Sequence, residues 1–110
     1  MINLKKFDVF WADLSPRFGT EPGKVRPVVV VQTDLINDIH PSVIICPLTS
    51  KVQPDAEILR VHVDNLGNKS DIMVDQIRAV DRKRLIEKIG TIDRSTQRRL
   101  IESLRILVLE

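Results

Sequence analysis

Four consecutive valines, Val28-Val29-Val30-Val31, constrain this chain more than any other stretch. β-Branched side chains fit a pleated, buried surface, and the run is too short for anything but a strand. It should be a central strand, continuing through Gln32 or Thr33. Pro27 cannot donate to a ladder, so it belongs at the first residue of that strand or at a bulge. That leaves Arg26 at the strand's mouth. A guanidinium fixed there by a rigid proline can face an anion; the plainer use is pairing with a surface carboxylate.

The rest of the chain arranges itself around that strand. Phe7 to Leu14 reads as a first strand, and Ser15 to Lys24, with two prolines and two glycines, as a loop that serves as a flap or a plain connector. Asp34 to Pro41 is a connection holding one helical turn. Ser42 to Thr49 is a second central strand, where Pro47 demands an edge or a bulge. A bulge would re-aim Thr49 and Ser50; otherwise these two are a polar strand terminus. Glu57 to Val63 is a strand whose His62 points to solvent or bonds within the sheet. Asp71 to Arg78 is read as one strand, with Ile72, Val74 and Gln76 on one face and Met73, Asp75 and Ile77 on the other. Asp75 is then edge-exposed or part of a polar site. Leu85 to Ile92 ends strand-like, and Asp93 is placed to cap a helix. In that helix Leu100, Ile101, Leu104, Leu107 and Val108 form an apolar stripe. Strands in series closed by one amphipathic helix give an antiparallel α+β domain, a small barrel spanning residues 1–110.

Composition removes several classes of function. With 43% hydrophobic and 29% charged residues in 110, the chain is of ordinary globular make-up and long enough to bury a core without metal or disulfide. The opening Met1 to Lys6 lacks the apolar run of a leader, no segment approaches a membrane span, and the single cysteine, Cys46, suits a reducing compartment. A cytoplasmic protein with no membrane partner is expected. His40 and His62 lie far apart, which leaves no metal-ligand spacing and no expected cofactor. Neither histidine is paired with a nucleophile in a triad motif, and the four glycines are too scattered for a phosphate loop. The net charge of +2 is mild, but Arg17, Lys24, Arg26, Lys51, Lys69 and Arg78 fall near loops or strand ends that could share one rim.

What remains is a polar set at strand mouths: Arg26, Thr49, Ser50, Asp75, Gln76 and Arg78. Such a set suits a phosphodiester, because guanidinium forks grip phosphate oxygens and a hydroxyl donates to developing negative charge. Without a metal, the easiest cleavage is attack of an RNA 2′-hydroxyl on its own phosphorus.

Asp13-Leu14-Ser15-Pro16, Gly19-Thr20-Glu21, Val25 to Gln32, Pro47-Leu48-Thr49-Ser50 and Asp75 to Asp81, in that order, resemble the MazF/PemK family of toxin endoribonucleases. The resemblance implies an SH3-like barrel with a C-terminal helix, acting as a homodimer. It implies metal-independent cleavage of single-stranded mRNA to 2′,3′-cyclic phosphate and 5′-hydroxyl ends. The implied inhibitor is a cognate antitoxin, together with which such toxins bind DNA. The implied catalytic residues are Arg26 and Thr49, with Glu21, Lys24, Gln32, Ser50, Lys51, Asp75, Gln76 and Arg78 in binding or supporting roles. Thr20 stands where some members have histidine, and Met73 where some have arginine. Arg26 itself, Glu21 and Asp75 are the candidates for removing the 2′-hydroxyl proton. The rival reading is a toxin like CcdB, which shares the expected fold and poisons DNA gyrase through its C-terminal end without cutting RNA.

Overall fold

Val28, Val29 and Val30 have no exposed surface, and they serve two cores on opposite faces of one strand. Val28 and Val30 pack with Leu4, Phe10, Leu14, Val43, Ile45, Val80 and Leu85. Val29 points the other way, among Val9, Cys46, Leu48, Val61, Ile72 and Leu100. A strand buried on both sides needs no polar alternation, which is why the valine run is unbroken.

The computed structural model describes residues 3–15, 19, 24–56 and 58–110. Its strands are β1 (Asp8–Asp13), β2 (Val25–Val30), β3 (Ser42–Thr49), β4 (Arg60–Val63), β5 (Ser70–Met73), β6 (Arg78–Asp81) and β7 (Leu85–Thr91). A single turn of helix, α1 (Asp34–Asn37), joins β2 to β3, and α2 (Arg94–Leu104) follows β7. All ladders are antiparallel, in the order β4-β5-β3-β2-β1-β7, with β6 added to β3. This is the expected antiparallel α+β architecture with a C-terminal helix. It is barrel-like without being closed, since among the described residues no ladder joins β4 to β7.

Strand β3 has two partners on one side. Ser42 to Ile45 pair with β6, whereas Leu48 and Thr49 pair with β5. Cys46 and Pro47 fall between the two ladders, so the missing N–H of Pro47 deprives no neighbour. The expected bulge is not what accommodates it. Pro27 likewise is the third residue of β2 and not the first; it pairs with Trp11, and the ladder to β3 begins only at Val28.

The stretch from Asp71 to Arg78 is not one strand. β5 ends at Met73, and the backbone turns through a 3-10 segment at Val74–Gln76 before β6 begins at Arg78. Asp75 is carried on that turn, exposed, rather than in mid-strand. The strand expected from Glu57 starts at Arg60; Glu57 itself lies outside the described residues. So do Pro16 to Phe18 and Thr20 to Gly23, and with them the expected flap or connector.

Helix α2 begins as its sequence predicts. Asp93 Oδ1 accepts from Thr96 N at 2.9 Å and from Thr96 Oγ1 at 2.7 Å, and Leu100 anchors the helix in the core. The rest of the stripe is only partly covered: Ile101, Leu107 and Val108 are exposed. The Thr96 hydrogen bonds hold the Asp93 carboxyl below its ordinary value of 3.8, so its cap strengthens the fold above that pH and is lost as pH falls through the lowered value. Thermal melts across the acid range should therefore show Asp93→Asn, which keeps a cap but cannot titrate, losing less stability below pH 3.8 than the native chain. Parallel acid curves for the two proteins would assign the loss to other carboxylates.

A cationic groove as candidate active site

β2 and β3 run side by side, so the residues just beyond their shared ladder converge. Arg26 stands one turn of pleat before Val28, and Thr49 ends β3. Arg26 Nη1 lies 3.4 Å from Leu48 O, which ties the guanidinium to the backbone next to Thr49. Between them opens a cavity of about 400 Å³ lined by Trp11, Lys24, Arg26, Thr49, Ser50 and Lys51, with Pro27, Asn68 and Ser70 at its margins. Lys24, Arg26 and Lys51 are cationic, and no carboxylate is among the described lining residues. In a chain whose net charge is only +2, three cations around one cavity make a local field that favours an anion.

The hydroxyl is oriented. Lys51 N donates to Thr49 Oγ1 at 3.2 Å, so this oxygen already accepts one hydrogen bond and its own hydrogen is available to a ligand in the groove. Lys24 adopts a positive φ of 65°, a left-handed conformation rare outside glycine, and its carbonyl accepts Leu14 N at 2.8 Å. The strained residue thus presents its ammonium at the start of β2. Trp11 is the only tryptophan of the chain and 38% exposed in this cavity. A flat aromatic face beside three cations is a surface on which a base can stack.

The expected site residues divide. Lys24, Arg26, Thr49, Ser50 and Lys51 share the groove. Gln32 does not: it is buried, donating to Asn37 Oδ1 at 2.9 Å and Ser42 O at 3.2 Å while its amide oxygen accepts Ile44 N at 3.3 Å. It locks α1 against β3. Asp75, Gln76 and Arg78 are not among the residues lining the cavity, and Glu21 lies outside the described residues. Cys46 offers no thiolate, because burial and then the Asp75 charge push it up to about 12. Two groups behind the groove escaped the sequence reading, Arg60 and the fully buried Asp71. Only the strand register sets Asp71 beside Thr49, and Arg60 reaches the turn by donating to Lys51 O.

An antiparallel α+β fold with a cationic groove at the mouth of β2 and β3 defines a small domain suited to holding an anion. The chain matches the family model described as PemK-like, MazF-like toxin of type II toxin-antitoxin systems over residues 5–108, and it belongs to that family. It is 36% identical over 107 residues to a Bacillus subtilis protein named Endoribonuclease EndoA, covering 94% of this chain and 92% of that one. Among solved structures it is similar in fold to MazF from Deinococcus radiodurans, with a TM-score of 0.85 at 22% identity over 97% of both chains. It is similar also to a mycobacterial endoribonuclease solved with its cognate antitoxin, with a TM-score of 0.78 at 16% identity over 94% of this chain and 93% of that one. The gyrase-poison reading is not favoured by these matches. No described helix is long and apolar enough to cross a membrane.

Proposed function

We propose that this protein is the toxin of a type II toxin-antitoxin pair and an endoribonuclease that cuts single-stranded mRNA in the groove between β2 and β3. The observation that carries this is the meeting of Arg26 and Thr49 at one cavity whose lining also includes Lys24 and Lys51. The scissile phosphate sits between the guanidinium and the Thr49 hydroxyl. As the neighbouring 2′-hydroxyl attacks phosphorus, negative charge grows on the equatorial oxygens, and both donors bind that charge more tightly than the ground state. The 2′-hydroxyl loses its proton, the 5′-oxygen leaves with one, and the products are a 2′,3′-cyclic phosphate and a 5′-hydroxyl. An arginine keeps its proton at ordinary pH, so Arg26 acts chiefly as charge and donor. Glu21 and a perturbed Arg26 are the groups that could take the 2′-proton, since Asp75 is not among the residues lining the groove. We further propose that it works in the cytoplasm as a homodimer, without a metal, and is silenced by a cognate antitoxin that covers this groove.

Incubation of the pure protein with single-stranded RNA in EDTA tests the reaction. Cleavage with cyclic-phosphate ends is the expected result, and RNA left intact at high enzyme excess removes the proposal. Binding has its own readout. Titrating a 2′-deoxy oligonucleotide should change Trp11 fluorescence, because the sole tryptophan lines the groove. Lys24→Ala and Lys51→Ala should each weaken binding and flatten the slope of log affinity against log salt by roughly 0.7, the share of one single-strand phosphate. Unchanged slopes would place both ammoniums away from the RNA.

A further inference from the structure

Thr49 ends β3 and the turn after it carries two more groove residues, Ser50 and Lys51, yet residues 50–55 are all exposed, so little apolar burial fixes it. Its position is set by hydrogen bonds, and those lead to one place. Asp71, in β5, pairs with Thr49 of β3 on one side and His62 of β4 on the other, and it has no exposed surface. A carboxyl group so enclosed requires partners on both oxygens. Oδ2 accepts the backbone N–H of Gln53 at 2.7 Å and lies 3.6 Å from Arg60 Nη1, while Oδ1 is bonded to His62 Nδ1. Arg60 Nη1 in turn donates to Lys51 O at 3.3 Å, and Lys51 N donates to Thr49 Oγ1. One buried carboxylate therefore holds the far end of the turn directly, at Gln53, and its near end through Arg60, at Lys51.

We propose that Asp71 is a positioning residue for RNA cleavage: with Arg60 as its arm, it braces the 49–53 turn so that the Thr49 hydroxyl faces the phosphate held by Arg26. This rests on the reading of Arg26 and Thr49 as the reacting pair. Releasing the brace moves a donor without removing a charge from the groove, so binding survives while transition-state alignment does not. A displacement of about 1 Å is enough to lose on the order of a hundredfold in rate. Asparagine at position 71 is equal in size but neutral, so the charge that holds the Arg60 guanidinium is lost whichever way its amide turns.

The test uses the full chain, a single-stranded RNA with a mapped cut site for single-turnover rates, and its 2′-deoxy form for affinity through Trp11. Asp71→Asn and Arg60→Gln should each slow cleavage by roughly tenfold to a hundredfold with Kd changed by less than about threefold. The double variant should be no slower than the worse single one, because both open the same brace. Hydrogen exchange at the Gln53 amide should accelerate in Asp71→Asn. A folded Asp71→Asn or Arg60→Gln that cuts within about twofold of the native rate overturns the brace, as does a loss that lies wholly in Kd. If Asp71→Asn does not fold, Arg60→Gln decides. Thr49→Ala separates the two readings: a native chain that cuts and a dead Thr49→Ala beside an unaffected Arg60→Gln sink only the positioning role. A native chain that never cuts sinks the nuclease and the brace together.

Discussion

Arg26→Ala and Thr49→Ala are each expected to cut RNA at least about a hundredfold more slowly than the native chain, the scale of deleting one donor aimed at transition-state charge. Neither side chain belongs to the buried core, so melting temperatures should stay close to native. The two losses should differ in kind. Arg26 carries charge already present on the ground-state phosphate, so its removal should weaken binding of the 2′-deoxy oligonucleotide as well as the rate. Thr49 contributes a neutral hydroxyl, and its loss should fall on the rate at saturating RNA. Variants that cut at the native rate but melt early would return both residues to a structural role.

The largest effect on stability should come from Phe10→Ala. Among the described residues Phe10 is the largest fully buried side chain, packed with Val28, Val30, Ile45 and Leu85 in the core that five of the strands enclose. Truncation to alanine should cost about 3–5 kcal/mol in urea unfolding, the range for a buried phenylalanine. Against a total of about 5–15 kcal/mol for an ordinary domain, that brings the protein near its unfolding threshold. A loss below about 1 kcal/mol would mean that the cavity collapses or that this core is not formed in solution.

The elements the sequence made plain are those with an unbroken local pattern. The valine run, the aromatic first strand and the Asp93 cap each carry their signal within a few residues. The break at Val74 to Gln76 was hidden because Ile72, Val74 and Gln76 mimic a strand's alternation; where the ladders to β3 and β4 stop is a fact of register. Pro47 was correctly taken as an obstacle to pairing. Its accommodation, a change of partner strand at that residue, is a fact of register that no local pattern contains. The groove followed the same division. Arg26 and Thr49 stood out through their prolines and strand ends, whereas Gln32 looked like a site residue and is a buried clasp. Asp71 looked like the polar start of a strand because its partners, Gln53, Arg60 and His62, are reached only through the β3–β5 and β4–β5 ladders.

The pairing of β1 with β7 joins residues nearly the whole chain apart, Asp8 with Thr91 and Ala12 with Leu85. During synthesis the first strand therefore emerges long before the segment that completes its second edge. Contacts of such long range form late and slowly. The hydrophobic run at Val28 to Val30 waits in an unfinished sheet until almost all of the polypeptide has left the ribosome. A chain cut short ahead of Leu85 would carry every groove residue and still lack the strand that makes β1 a part of the fold's interior.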